Sequence, residues 1–355
     1  MFRAVPHRRQ RVRLIRFWDL LSRFDQVCMA LVVGAEQSGS EVIAATVTLA
    51  TGDVDRQSHT ASIARGLEPN ICFGLGSGVM TTNPEAFRYD GKRVLVVGGA
   101  TGMGAAAARL TMALGAEAIV MDHAPIDFDV AGAIKVDLQD RSSIDSALDE
   151  IGGPIDAVFS AAGIADGPPL MRVNFIGHRH VIDRLLAQGQ LKSGAAICFI
   201  SSVAGIGWEA DLERLIEFLG TADYEAANAW VEAHPDTNNY MFAKQAINTY
   251  VSRQALPLRK QGIRINAVCP GPTDTPLAQA NADLWLTFAQ EYRAEVGLDY
   301  HSPEQIAQAM AFLNSAAASG ISGINLLVDS GHVMASLSGA WPADKPILDL
   351  LMGRS

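Results

Sequence analysis

The sequence is short of cysteine, has no lysine in its first 79 residues, and contains no apolar run long enough to span a bilayer. Its four cysteines, Cys28, Cys72, Cys198 and Cys269, lie far apart with no CxxC spacing, which excludes a disulfide framework or a zinc signature. They read as buried or incidental thiols in a reducing cytosol, so a cytoplasmic location is expected. Basic charge is also scarce. Lysine and arginine total 28 against 38 acidic residues, a formal charge of −10, which argues against nucleic acid or an anionic membrane as the main partner. What the 355 residues do offer is apolar content, 49%, enough for a sizeable core in one large domain or two.

Residues 1–79 differ from the rest. Nine arginines fall there, the opening MFRAVPHRRQRVRLIRFWDLL is basic, and no sustained period runs from Gly34 to Gly78. Asp19 and Asp25 count against a transit peptide, and no small-residue cleavage site follows. The folded domain is expected from Met80 to residue 355, with residues 1–79 a disordered extension or an over-extended start.

From residue 90 the chain alternates apolar strands and helical stretches. RVLVVGGA, EAIVMD, GAIKVDL, IDAVFSAAG, AAICFISS, IRINAVCPG and INLLVDSG read as strands. Helical stretches lie between them, and GMGAAAARLTMALG (102–115) stops at Gly115. Strands that are apolar throughout, separated by helices, imply an α/β doubly wound parallel sheet of about seven strands, covered on both faces. Ligands in such sheets sit beyond the carboxyl ends of the strands.

One such end carries VGGATGMG, with Gly98, Gly102 and Gly104 between a strand and a helix. Glycine there lets the backbone approach a pyrophosphate, which the helix N-terminus attracts. Asp122 closes the second strand, 18 residues beyond Gly104, with His123, Ala124 and Pro125 after it. A carboxylate at that place accepts from ribose hydroxyls and repels a 2′-phosphate, so NAD is the expected cofactor. Asp137, ending the third strand, is a candidate for the adenine amino group. Tyr240 and Lys244, in NNYMFAK, stand four apart and share a helix face. A free phenol titrates near pH ~10, and a neighbouring ammonium favours the phenolate. The pair therefore suits a proton carrier for carbonyl reduction or alcohol oxidation.

Taken in order, the glycine turn, SAAG (160–163), Asn174, ISS (200–202), YMFAK and PGPTDTP (270–276) resemble the classical short-chain dehydrogenase/reductase family over residues 90–335. The resemblance implies a Rossmann-like fold and a catalytic set of Asn174, Ser202, Tyr240 and Lys244. In that set Ser202 polarises the substrate oxygen, and Asn174 holds a water linking Lys244 to solvent. It also implies Thr273 and Thr275 beside the nicotinamide carboxamide, and cofactor contacts from Thr101, Met103, Leu138, Ala161 and Gly163. SAAG departs from the family's usual NNAG or NAAG, and Ser160 is expected to replace the missing asparagine in part.

Ser202 and Tyr240 are 38 residues apart, where the family leaves about a dozen. Residues 206–237 therefore form an insertion, with two short amphipathic helices lying over the site mouth or against the catalytic helix. This resembles the 3α-hydroxysteroid dehydrogenase/carbonyl reductase and coniferyl alcohol dehydrogenase subgroup. The implied substrate is a bulky apolar alcohol or ketone, steroid-like or aromatic. The implied assembly is a homo-oligomer, a dimer rather than a tetramer. Trp208 either lines the pocket or anchors the insertion. His178 and His180 show no acidic or cysteine partner in sequence, and no metal is expected. A non-catalytic NAD-binding module is the alternative reading, disfavoured by a complete Ser–Tyr–Lys–Asn set. Epimerase or dehydratase chemistry is disfavoured by PGPTDTP.

Overall fold

The computed structural model describes residues 27–31, 45–49 and 84–353. Strands β1 (Val27–Leu31) and β2 (Ala45–Leu49) pair antiparallel in a unit of their own. The rest of the expectation for residues 1–79 falls outside the described residues.

The second unit is built on seven parallel strands. These are β3 (Arg93–Val97), β4 (Glu117–Asp122), β5 (Gly132–Lys135), β6 (Ile155–Ser160), β7 (Leu191–Ile200), β8 (Arg264–Pro270) and β9 (Asn325–Val328). They lie in the order β5-β4-β3-β6-β7-β8-β9, so the crossovers reverse between β3 and β6, and a ligand crevice is expected at that switch. The strands read as continuous apolar runs because both faces are covered. Alternation along β3 sends Leu95 and Val97 into one core and Val94 and Val96 into the other.

On the Val94 side lie α1 (Gly102–Ala113) and a helix spanning Pro303–Asn314, which begins with a capping box at Ser302 and Gln305. On the Leu95 side lie α2 (Arg141–Ile151), α3 (Gly177–Ala187), and two helices of the insertion, α4 (Leu212–Leu219) and α5 (Tyr224–Ala233). They are joined there by the long α6 (Tyr240–Lys260). One departure from the sequence reading stands ahead of α3. The stretch from Met171 reads as one continuous helix, yet Arg172–Ile176 forms a π-turn. Such turns cluster at functional sites because they break the regular backbone ladder.

The insertion settles against α6. Phe218 and Trp230 pack on Phe242 with ring centres 5.7 and 6.0 Å away. Phe218 also meets Phe175 at 5.5 Å. Trp208 joins this core cluster and does not line the cleft, so anchoring the insertion is its role.

Candidate active site

Tyr240 is the first residue of α6, whose N-cap Asn239 accepts a hydrogen bond from the Phe242 backbone N–H at 2.9 Å. That position aims the phenol at the carboxyl ends of the strands. Ser202 follows β7 and caps a short 3-10 turn, its hydroxyl accepting from the Ala204 N–H at 3.1 Å. The Ser202 hydroxyl lies close enough to the phenol to favour its ionised form. Helix and strand end are joined by Ser201 Oγ, which donates to the Lys244 carbonyl at 3.1 Å, and by Asn248 Nδ2, which donates to the Gly205 carbonyl at 2.8 Å.

Lys244 is buried, and its ammonium donates to the Ile200 carbonyl at 2.9 Å. Burial pulls its pKa down to about 8. Burial also pushes the Tyr240 phenol up to about 12, against the downward pull of the Ser202 hydroxyl. The spacing argument expected Lys244 to bring the phenol below its ordinary value. In the protein alone desolvation sets the direction for both groups, because each charged form loses water, and the phenol rises instead.

Asn174 lies within the π-turn and is fully buried. Its Oδ1 accepts from the Ile164 N–H at 2.8 Å and its Nδ2 donates to the Ile164 carbonyl at 2.9 Å. The amide thus pins the segment after β6 and does not itself line the cleft. Ser160 does not take the place of an asparagine, since its buried hydroxyl has no hydrogen-bond partner.

The remaining expected residues converge on one cleft of about 730 Å³, lined by Gly98, Thr101, Gly102, Met103, Gly104, Asp122, Asp137, Leu138, Ala161, Gly163, Ser202, Tyr240, Lys244, Thr273 and Thr275. The glycine turn fits a pyrophosphate. A Cβ on Gly104 would stand 1.9 Å from the Gly98 carbonyl oxygen, so any side chain would drive helix and turn apart. The Thr101 side chain makes no capping bond, which leaves the first N–H groups of α1 free to meet an anion. Asp122 accepts from the Ala100 N–H at 2.8 Å and the Ala124 N–H at 2.9 Å, so it braces the glycine turn as well as facing the cleft. Asp137 accepts from the Gln139 N–H at 2.9 Å. Thr273 donates to the Gly271 carbonyl, and Thr275 caps the turn Pro276–Gln279 across from Gly102.

The sequence reading missed part of the wall. Ile164, Val203 and Met241 line the cleft, and so do Ile347 and Leu351 from the C-terminal helix (Lys345–Leu351). Trp285 lies against the Tyr240 ring with centres 4.9 Å apart. Phe288, three residues on, lines the same wall. His180 does have an acidic partner, Asp145 at 2.8 Å, brought near by tertiary packing. His178 faces the Ala162 carbonyl at 3.0 Å, and burial lowers its pKa to about 4. Among the described residues no cluster of three or more His, Cys, Asp or Glu is arranged to hold a metal, and no helix is long and apolar enough to cross a membrane.

A parallel sheet with a glycine turn at its switch point, opening onto a cleft lined by Ser202, Tyr240 and the buried Lys244, belongs to the nicotinamide-dependent oxidoreductases that interconvert alcohols and carbonyls. The comparisons with known proteins narrow this. A "short chain dehydrogenase" profile matches residues 92–210, and one described as "Enoyl-(Acyl carrier protein) reductase" matches 225–332. The cis-4-hydroxycyclohexanecarboxylate dehydrogenase of Sinomonas cyclohexanicum is 33% identical over 264 residues, covering 70% of this chain and 98% of that protein. The coniferyl-alcohol dehydrogenase of Pseudomonas sp. (strain HR199 / DSM 7063) is 26% identical over 252 residues, covering 68% and 96%. Among solved structures, the 3-alpha-hydroxysteroid dehydrogenase from Pseudomonas sp. B-0831 complexed with NADH is 26% identical with a TM-score of 0.55, covering 70% of this chain and 99% of that one. The chain belongs to the short-chain dehydrogenase/reductase family.

Proposed function

We propose that this protein is an NAD-dependent dehydrogenase of bulky, largely apolar alcohols, or a reductase of the matching ketones, with Tyr240, Ser202 and Lys244 as its catalytic residues. The observation that carries the reading is the position of the phenol. It sits beside the Ser202 hydroxyl at the glycine-turn cleft, under an apolar wall of Trp285, Phe288, Ile347 and Leu351.

When bound, the nicotinamide supplies or accepts the hydride. Tyr240 carries the proton to or from the substrate oxygen, and Ser202 donates a hydrogen bond to that oxygen. Lys244 places positive charge near the phenol and favours its ionised form. A phenol pushed up to about 12 is held as the acid at neutral pH, ready to protonate an alkoxide formed in reduction. Asn174 fixes the backbone of Ile164, which lines the cleft.

Asp122 faces the cleft, and among the described lining residues Lys244 is the one lysine or arginine. A ribose 2′-phosphate would meet a carboxylate there with no cation to offset it, which supports NAD. The named relatives act on a hydroxycyclohexanecarboxylate, coniferyl alcohol and a 3-alpha-hydroxysteroid, which supports a ring-bearing substrate. The insertion packed on α6 supports a dimer over a tetramer. A panel of sterols, aryl alcohols and cyclohexanols, followed by nicotinamide absorbance with NAD and NADP in parallel, tests the reading. Turnover favouring NAD is expected. A preference for NADP would refute the role given to Asp122.

A further inference from the structure

The apolar wall over the phenol comes from two segments far apart in sequence, and one buried side chain touches both. His332 is 2% exposed. Its ring meets Phe288 edge-on at 5.3 Å and lies 5.0 Å from Tyr292. On its other side, Nε2 lies 2.8 Å from Oδ2 of Asp344, the residue immediately before the C-terminal helix. The same oxygen accepts from Trp341 Nε1 at 3.0 Å, and Trp341 in turn packs edge-on against Tyr292 at 5.6 Å. Tyr292 donates to the Ser330 carbonyl at 3.0 Å. Arg293, buried, holds the carbonyls of Leu286 and Phe288 and fixes the turn between Trp285 and Tyr292.

The C-terminal helix is clamped onto the site itself. Leu348 is fully buried with Val203 and Val333, and Phe288 and Leu351 pack beside them. Gly207, at φ +76, admits the chain so closely that a Cβ would lie 2.4 Å from Met352 Cα. The helix therefore rests on the loop that follows Ser202.

We propose that His332 is a positioning residue for substrate specificity. It ties the Trp285–Phe288 segment and the C-terminal helix into a single preformed wall. Through that wall it favours ring-bearing alcohols over small ones, while touching neither substrate nor cofactor. A wall already ordered before binding spares the substrate the entropy of ordering it. The benefit reaches only substrates large enough to meet Phe288 and Leu351. This proposal rests on the reading of the cleft as a site for bulky alcohols.

The test uses the full chain carrying His332→Leu, with Asp344→Ala as a second variant at a partly exposed position. Steady-state kinetics with NAD compare a fused-ring secondary alcohol with 2-propanol, and hydrogen exchange follows the amides of the segment from Trp285 to Tyr292 and of Lys345–Leu351. The expected result is a KM for the fused-ring alcohol raised about tenfold, with kcat and the KM for NAD within about twofold and 2-propanol little changed. Both segments should exchange faster together, and His332→Gln, which keeps an N–H for Asp344, should recover most of the loss. Equal KM changes for the two alcohols, or faster exchange in one segment alone or in neither, would overturn the proposal. If the unmodified protein oxidises no alcohol, the functional reading fails, and the exchange arm still decides whether His332 joins the two segments.

Discussion

The Lys244 ammonium lies 5.3 Å from the centre of the Tyr240 ring, and burial shifts the two groups in opposite directions: the lysine down to about 8, the phenol up to about 12. Each shift disfavours the charged form. The pair is therefore set, before any ligand arrives, with the phenol protonated and the amine close to losing its charge in mildly alkaline solution.

A pH dependence follows from the signs. Oxidation needs the phenolate, and a raised phenol pKa keeps that form scarce, so kcat/KM for oxidation should climb with pH from about 6.5 to 9.5. Reduction needs the phenol, which is present throughout. It should stay level and then fall as Lys244 loses its proton above about 8. Measuring kcat/KM in both directions across this range checks the assignment. A reduction rate that rises through the lysine's titration would contradict it.

Gly104→Ala should damage cofactor binding and lower stability modestly while the protein still folds. The added methyl meets the Gly98 carbonyl at 1.9 Å and must shift the turn. Overpacking of this kind costs about 1–3 kcal/mol, and a loss that falls on the bound form weakens NAD binding by about tenfold or more. Fluorescence titration with NADH reads this, alongside circular dichroism. An unchanged dissociation constant would mean the turn is not the pyrophosphate site.

The insertion is expected to be structural support for the catalytic helix. Phe218 is fully buried among Phe175, Trp230 and Phe242, with ring centres 5.1 to 5.7 Å away. Phe218→Ala should destabilise the protein by about 3–5 kcal/mol. Urea unfolding measures it, and a loss under about 1 kcal/mol would show that the insertion is only loosely attached.

The sheet was legible because its strands are buried on both faces, so Val94–Val97 or Ile197–Ile200 reads as an unbroken apolar run. The glycine turn was legible because backbone closeness at Gly98 and Gly104 demands glycine at fixed spacing. Ser202, Tyr240 and Lys244, expected from the order of motifs, meet at one cleft, while Asn174, expected with them, lies off it. What each side chain touches was not. The π-turn at Arg172–Ile176, the bond from Lys244 to Ile200 and the unpaired hydroxyl of Ser160 all depend on packing between segments distant in sequence. Ile347 and Leu351 carry no local signal for a cleft at all. They reach it because Leu348 packs on Val203 and because Gly207 lets the chain end approach.

The most direct test of the account is alcohol oxidation by Tyr240→Phe, followed by NADH absorbance, with NADH binding measured on the same sample. Removing the hydroxyl that carries the proton should lower kcat/KM by about a hundredfold to ten-thousandfold and leave NADH affinity within about threefold. Oxidation at the rate of the unmodified protein would contradict the account.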